Sequence, residues 1–215
     1  MSASVSTLNR DLTDATRRRY ERIAPIYDLF ETFAEHRYRP WRQRLWSMVT
    51  GKKILEVGVG TGKNFPYYPS RAQVTAVDLT PGMLARATLK ARRMNLAVAL
   101  HMGDVQNLEF ADNTFDTIVA TCVFCSVPDP VLGLREVQRV LKPGGKVFLM
   151  DHVRSENPFL ARIMDFINPV VVRMMGPNIN RQTVSNVNQS GLIVEQVEDL
   201  GMGGLFKLIV AQKSR

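Results

Sequence analysis

Apolar residues recur at three- and four-residue steps along the first part of the chain. Leu8, Leu12, Ala15, Ile23, Ile26 or Tyr27, Phe30 and Phe33 predict a helix over 8–35, with Pro25 set to kink or break it. A second helix is predicted from about Pro40 to Val49, with Trp41, Leu45, Met48 and Val49 on one side. The period then changes. Short apolar runs at Lys53–Val57, Gln73–Asp78, Ala97–Leu100, Phe115–Ala120 and Lys146–Asp151 read as strands. Helical stretches separate them, one opening with Pro81 in its first turn and one over Pro130–Leu141, stopped by Lys142-Pro143-Gly144-Gly145. This alternation predicts an α/β fold with a doubly wound, mostly parallel sheet. The end breaks the rhythm. Leu192–Glu198 and Phe206–Gln212 flank the turn Gly201–Gly204, too close for a parallel crossover, so they must form an antiparallel hairpin. Between strand five and that hairpin, Phe159–Met175 carries apolar positions at helical period. It reads equally as a core helix or as an adaptable, methionine-bearing surface.

Composition narrows the class. With 45% hydrophobic and 22% charged residues over 215 positions, the chain has the make-up of one globular α/β unit with appended elements. No apolar run is long enough to cross a bilayer, and the polar first residues lack the apolar core of a signal peptide. The expected location is cytoplasmic, with a membrane surface within reach. The formal net charge is +8, and much of it precedes the first strand, where Arg10, Arg17, Arg18, Arg19, Arg22, Arg37, Arg39, Arg42 and Arg44 outweigh the acidic residues. Such a face attracts nucleic acid or anionic lipid, and charge alone does not choose. Cys122 and Cys125 stand in a C-x-x-C spacing after a strand instead of opening a helix, and no second pair completes a zinc site. They read as reduced structural or pocket-lining thiols, and no metal is expected.

The densest chemistry follows the first strand. Gly58, Gly60 and Gly62 let the backbone turn tightly and approach a ligand, and Asp78 ends the second strand, where a carboxylate can accept from a ribose diol. A dinucleotide loop is spaced G-x-G-x-x-G. Here it is G-x-G-x-G, with Lys63 in sixth place and Glu56 ahead of the first glycine. An acid there sits poorly beside a pyrophosphate and suits a cation.

Taken in order, Glu56-Val-Gly-x-Gly-Thr-Gly62, Asp78-Leu-Thr-Pro-Gly-Met83-Leu, Gly103-Asp104, Phe115-Asp116 and Leu141-Lys-Pro-Gly-Gly145 resemble the class I S-adenosylmethionine-dependent methyltransferases. The likeness, over about residues 17–151, is to those related to the quinone C-methyltransferases. It implies a Rossmann-like fold with a C-terminal antiparallel hairpin and N-terminal helices, with S-adenosylmethionine as cofactor. Residues 1–50 would be a helical lid or membrane-facing segment, and 51–215 the cofactor-binding domain. By the same resemblance, Gly58, Gly60 and Gly62 line the methionine moiety and Asp78 holds the ribose. Leu79 and Met83 flank the adenine, Asp104 bonds its amino group with Val105 and Gly103 beside it, and Thr121 lies against the ligand. Glu56 faces the cationic end, and Tyr20 and Tyr27 close over the cofactor. Simpler roles stay open for some of these. Gly144-Gly145 is a turn, Asp116 positions backbone, and Asp104 either binds or caps a turn.

The fold does not name the acceptor. The chain lacks the Asp/Asn-Pro-Pro-aromatic motif of enzymes that methylate base amines, and nucleic acid is not expected. Tyr20-x-x-x-Ala24-Pro25-x-Tyr27-Asp28, Phe124–Pro130 and Asp151-His152-Val153-Arg154 are similar to the short bacterial phosphatidylethanolamine N-methyltransferases. That likeness implies a phospholipid acceptor met at an anionic membrane surface through the basic first helix, although the same helix could merely cap the sheet. Quinone C-methylation is the alternative acceptor, and a non-catalytic cofactor-binding module is a further alternative. An ammonium has no lone pair until it loses a proton. Tyr27 and His152 are the candidates to orient or deprotonate it, and Arg154 or Arg181 to hold the lipid phosphate. His152 as an ordinary strand-end residue is an equal reading.

Overall fold

The computed structural model describes residues 2–174 and 176–214, and their side chains except those of 2–8 and 28–34. The apolar positions Leu8, Phe30 and Phe33 of the first predicted helix, like Asp28, therefore lie outside the described side chains. Seven strands run β1 (Lys53–Val57), β2 (Gln73–Asp78), β3 (Val98–Met102), β4 (Phe115–Thr121), β5 (Leu141–His152), β6 (Ile193–Gly201) and β7 (Phe206–Gln212). They form one sheet in the order β3-β2-β1-β4-β5-β7-β6. Neighbours from β3 through β5 are parallel, and β7 is antiparallel to both β5 and β6. The order reverses at β1, between β2 and β4, and in such sheets a crevice opens there beyond the carboxyl ends.

Helices α1 (Ser2–Ile23), α2 (Tyr27–Ser47), α3 (Pro81–Arg93), α4 (Pro130–Val140), α5 (Pro158–Met174) and α6 (Thr183–Gln189) complete the chain. On one sheet face α4 and α6 bury Leu134, Val137, Val140 and Val187 against Leu55, Ile118, Leu149 and Ile209. On the other, α2 sets Leu45, Trp46 and Val49 on Ile54, Val119, Met150 and Leu208. The second helix thus shares the sheet's own core. The α3 helix places Ala87 and Ala91 over Val59, Phe65 and Ala76.

Several boundaries differ from those predicted. Pro25 does end the first helix, but Pro40 lies inside α2 instead of opening a new helix. The proline removes one backbone bond, and tertiary contacts on both sides hold the turn. Tyr38 and Trp41 stack at 5.5 Å and both meet Phe206, while Arg42 reaches back to Glu35 at 3.4 Å. Strand β5 starts at Leu141, not Lys146, so Lys142–Gly145 is an irregular strand entry with Gly144 at φ 72°, not a free turn. The short α6, all but two of whose residues are polar, carries too little period to be legible.

Candidate functional site

The loop after β1 folds back onto β2. Gly58 and Val59 donate to the Val77 carbonyl at 2.8 and 3.0 Å. Asp78 completes the clasp, one carboxylate oxygen accepting from Gly60 N–H at 2.8 Å and the other from Thr80 N–H at 2.9 Å. Gly58 has φ 68°, and a Cβ there would stand 2.4 Å from the Val123 side chain. Only glycine fits between the loop and the end of β4.

Gly58, Gly60, Asp78, Leu79, Met83, Gly103, Asp104, Val105 and Thr121 line one cleft at the carboxyl ends of β1 to β4, roofed by Tyr20 and Tyr27 with Thr16. The walls are apolar at Val77, Leu79, Met83, Val105 and Val127, and among the described residues the acidic side chains of the lining are Asp78 and Asp104 and none is Lys or Arg. A flat nucleoside with a positive charge fits such a lining. Asp104 does both things foreseen for it: it faces the cleft, and its Oδ1 accepts from Gln106 N–H at 2.9 Å to close a turn. Helix α1 covers the cleft with its polar side, where Thr13 donates to Asp104 at 3.4 Å and Glu21 accepts from Gly82 N–H at 2.9 Å.

Other predicted site residues stand elsewhere. Glu56 is fully buried behind the loop, bonded by the Asn64 amide and the Tyr68 hydroxyl, and does not line the cleft. Burial pushes its carboxyl up to about 7, against those bonds and the nearby Arg42 charge. Gly62 also lies outside the lining. Its φ is 80°, and a Cβ would meet the Phe65 ring at 2.4 Å, so its role is packing. His152 does not line the cleft: its ring meets Phe206 edge-on at 5.2 Å, and burial lowers its pKa against a backbone bond with Ile179. Arg154 forks onto Asp165 at 2.7 and 3.2 Å, and Arg181 donates to the Val127 carbonyl at 2.6 Å, behind the cleft wall. Neither guanidinium reaches into the cleft. Asp116 positions backbone as expected, accepting from Lys52 and Lys53 N–H at 2.8 and 2.9 Å, and these partners with Lys142 bring it down to about 2.

Arg42 and its partner Asn64 belong to no motif, and Ser126 and Asp151 lie in quoted segments without a role assigned to them. Arg42, 4% exposed, donates to Asn64 at 2.9 Å and to Thr121 at 3.0 Å, tying α2 to β4. Ser126 receives or gives the bond of Tyr20 Oη at 2.5 Å, and Asp151 is 1% exposed at the end of β5. A buried Arg beside a buried Glu leaves no trace in a linear sequence; only a polar residue on an apolar helix face hints at it. Both cysteines are free, Cys122 lining the cleft, and no metal-binding cluster occurs among the described residues.

A family model described as a methyltransferase domain matches residues 55–149. The chain is 40% identical over 153 residues to a phosphatidylethanolamine N-methyltransferase of Cereibacter sphaeroides, covering 69% of this chain and 73% of that one. It is 42% identical over 155 residues to a thiol S-methyltransferase of Rattus norvegicus, covering 67% of this chain but 62% of the relative, less than two thirds of its length. It is 30% identical over 169 residues to a ubiquinone/menaquinone biosynthesis C-methyltransferase of Roseobacter denitrificans, covering 74% and 68%. Among solved structures, a SAM-dependent methyltransferase from Thermotoga maritima superposes with a TM-score of 0.70 at 21% identity, covering 92% of this chain and 99% of that one. That last likeness concerns the fold alone.

Proposed function

Because the chain belongs to the S-adenosylmethionine-dependent methyltransferases, we propose that its acceptor is the amine headgroup of phosphatidylethanolamine, met at the cytoplasmic surface of a membrane. The observation that carries this reading is the state of α5. Only Ala161 and Met164 of that helix are buried, while Phe159, Phe166 and Met174 stand 70%, 86% and 74% exposed beside Leu160, Ile163 and Val170. A core helix hides its apolar face; this one leaves it in water. Each large side chain moved into an interface stabilises by about 1.5–3 kcal/mol. One end of the face lies close to the cleft, since Gly176, just past α5, lies against the Tyr20 ring that roofs it. Arg162 and Arg173 on α5, with Arg17 and Arg18 on α1, are exposed and add attraction to anionic headgroups. No helix among the described residues is long and apolar enough to cross a membrane. The 40% identical phosphatidylethanolamine enzyme supports the same acceptor.

Bound in the cleft, the cofactor supplies an electrophilic methyl on a sulfonium. The residues that would hold it are Asp78 at the ribose hydroxyls, Leu79, Met83 and Val105 at the adenine, Asp104 at its amino group, and the bare backbone of Gly58 and Gly60 at the methionine end. Tyr20 and Tyr27 exclude water above it. Catalysis is then largely positioning of the acceptor in line with the methyl.

Incubation with labelled cofactor and phosphatidylethanolamine vesicles, a demethylquinol or a small thiol separates the acceptors. Label is expected in the lipid; label only in the quinol or the thiol overturns the reading. The double variant Phe159→Ser, Phe166→Ser is expected to lose tenfold or more of vesicle methylation (roughly 1.4 kcal/mol at the least) with cofactor affinity unchanged. Unaltered turnover on vesicles removes α5 from the argument.

Cofactor binding also has a pH signature. Burial carries both Glu56 and Asp151 to about 7, so each is partly protonated at neutrality. A cation arriving nearby favours the carboxylate forms, and protons must leave. Calorimetric titration at pH 7 in buffers of different ionisation heat is expected to show net proton release, fading as pH rises well above 7. Net uptake contradicts the sign.

A further inference from the structure

A series of polar side chains runs from the roof of the cleft into the protein behind it. It starts at Tyr20, which lines the cleft and whose Oη lies 2.5 Å from Ser126 Oγ. Ser126 Oγ is 3.7 Å from Cys125 Sγ. Cys125 N–H in turn donates to Asp151 Oδ2 at 3.1 Å, which holds the Cys125 side chain beside that carboxyl. Four side chains from α1, the loop after β4 and the end of β5 thus stand in series from the cleft to a carboxyl that solvent does not reach.

We propose that Tyr20, Ser126 and Cys125 relay a proton from the acceptor's attacking atom to Asp151, which is the proton sink of the reaction. The transfers balance. The acceptor's proton goes to Tyr20 Oη as the Tyr20 proton passes to Ser126 Oγ. The Ser126 proton passes to Cys125 Sγ, and the Cys125 proton to the Asp151 carboxylate. The acceptor gains its lone pair, the carboxylate becomes an acid, and every relay member ends neutral as it began. Any acceptor that must lose a proton from nitrogen, sulfur or oxygen to become nucleophilic is served, so the relay does not depend on the lipid reading.

The surroundings suit the task. Burial raises Tyr20 and Cys125, keeping both as neutral O–H and S–H groups. Asp151 is raised to about 7, because burial outweighs its bonds from Cys125 and from His152 N–H at 3.0 Å, and the attraction of Arg181. A group near neutrality can take a proton and return it. Arg181 faces Asp151 from the segment before α6, with Asp129 among the charges around it. Lys207, opposite Asp151 on β7, is occupied by Glu156 and Asp199. Cys122 and Tyr20 complete the ring of titratable groups.

The test is a pH profile of kcat in the full-length protein, run with whichever of the vesicle, quinol and thiol probes takes label. Cys125→Ala breaks the line and is expected to lower kcat on the order of a hundredfold at neutral pH. The deficit closes as pH rises past the acceptor's own pKa, where it arrives deprotonated. Cys125→Ser returns a hydroxyl to the same place and is expected to regain most of the rate, with cofactor affinity unchanged in both. Equal loss in the two variants, or a deficit independent of pH, overturns the relay. The infrared S–H stretch of Cys125 is the acceptor-independent readout. It is expected to shift in Asp151→Asn, and an unshifted band overturns the relay even if the lipid proves to be the acceptor. A shifted band with label only in thiol or quinol sinks the lipid reading alone.

Discussion

Asp78→Ala is expected to weaken S-adenosylmethionine binding on the order of a hundredfold, about 2.7 kcal/mol. Two losses add. The carboxylate no longer accepts from the ribose hydroxyls, and hydrogen bonds to a charged group contribute about 1.5–3 kcal/mol. The same oxygens also hold Gly60 N–H and Thr80 N–H, so the glycine loop and the start of α3 lose their shared anchor. Asp78→Asn keeps one acceptor and loses the charge, so it is expected to fall between alanine and wild type. Equilibrium binding of labelled cofactor measures all three. Affinity in Asp78→Ala within a factor of about two of wild type would falsify the cofactor placement.

Arg42→Met is expected to produce a large loss of stability, about 3 kcal/mol. Methionine keeps much of the volume but removes the donor that serves Asn64 and Thr121 and the charge facing Glu35. Asn64 is bonded in turn to Glu56, so the deletion leaves a buried carboxyl without its nearby cation. Glu35 is 22% exposed and partly screened by water, which keeps the expected figure at the low end for a broken buried pair. Urea unfolding checks it. A midpoint shift worth less than ~1 kcal/mol would mean that the cluster relaxes around the gap.

The sheet was legible because each strand announces itself locally. Buried parallel strands such as Ile54–Val57 are nearly continuous apolar runs, and the hairpin follows from the short reach between Glu198 and Phe206. The cleft was legible where chemistry is carried by order along the chain: Gly58 and Gly60 after one strand, Asp78 ending the next, Asp104 after the third. Glu56 and Gly62 belong to the same motif yet sit behind it. Alternation along β1 and the turn of the loop send their positions toward the Asn64, Phe65 and Tyr68 side. Motif membership says that a residue is needed, not which side of the backbone it serves.

The sequence by itself determined the fold class, the strand-end placement of the glycine loop and Asp78, and, through its motifs in order, the methyltransferase family and its cofactor. Those features depend on local period and on spacing over a few residues. Only the tertiary structure decided where the apolar face of α5 lies, since the same period suits a core or an exposed face and burial alone separates them. It also decided that His152, Arg154 and Arg181 face Phe206, Asp165 and Val127, and that Tyr20 meets Ser126 across 106 residues of chain. Such partnerships are made by packing between distant elements, and no local pattern encodes them.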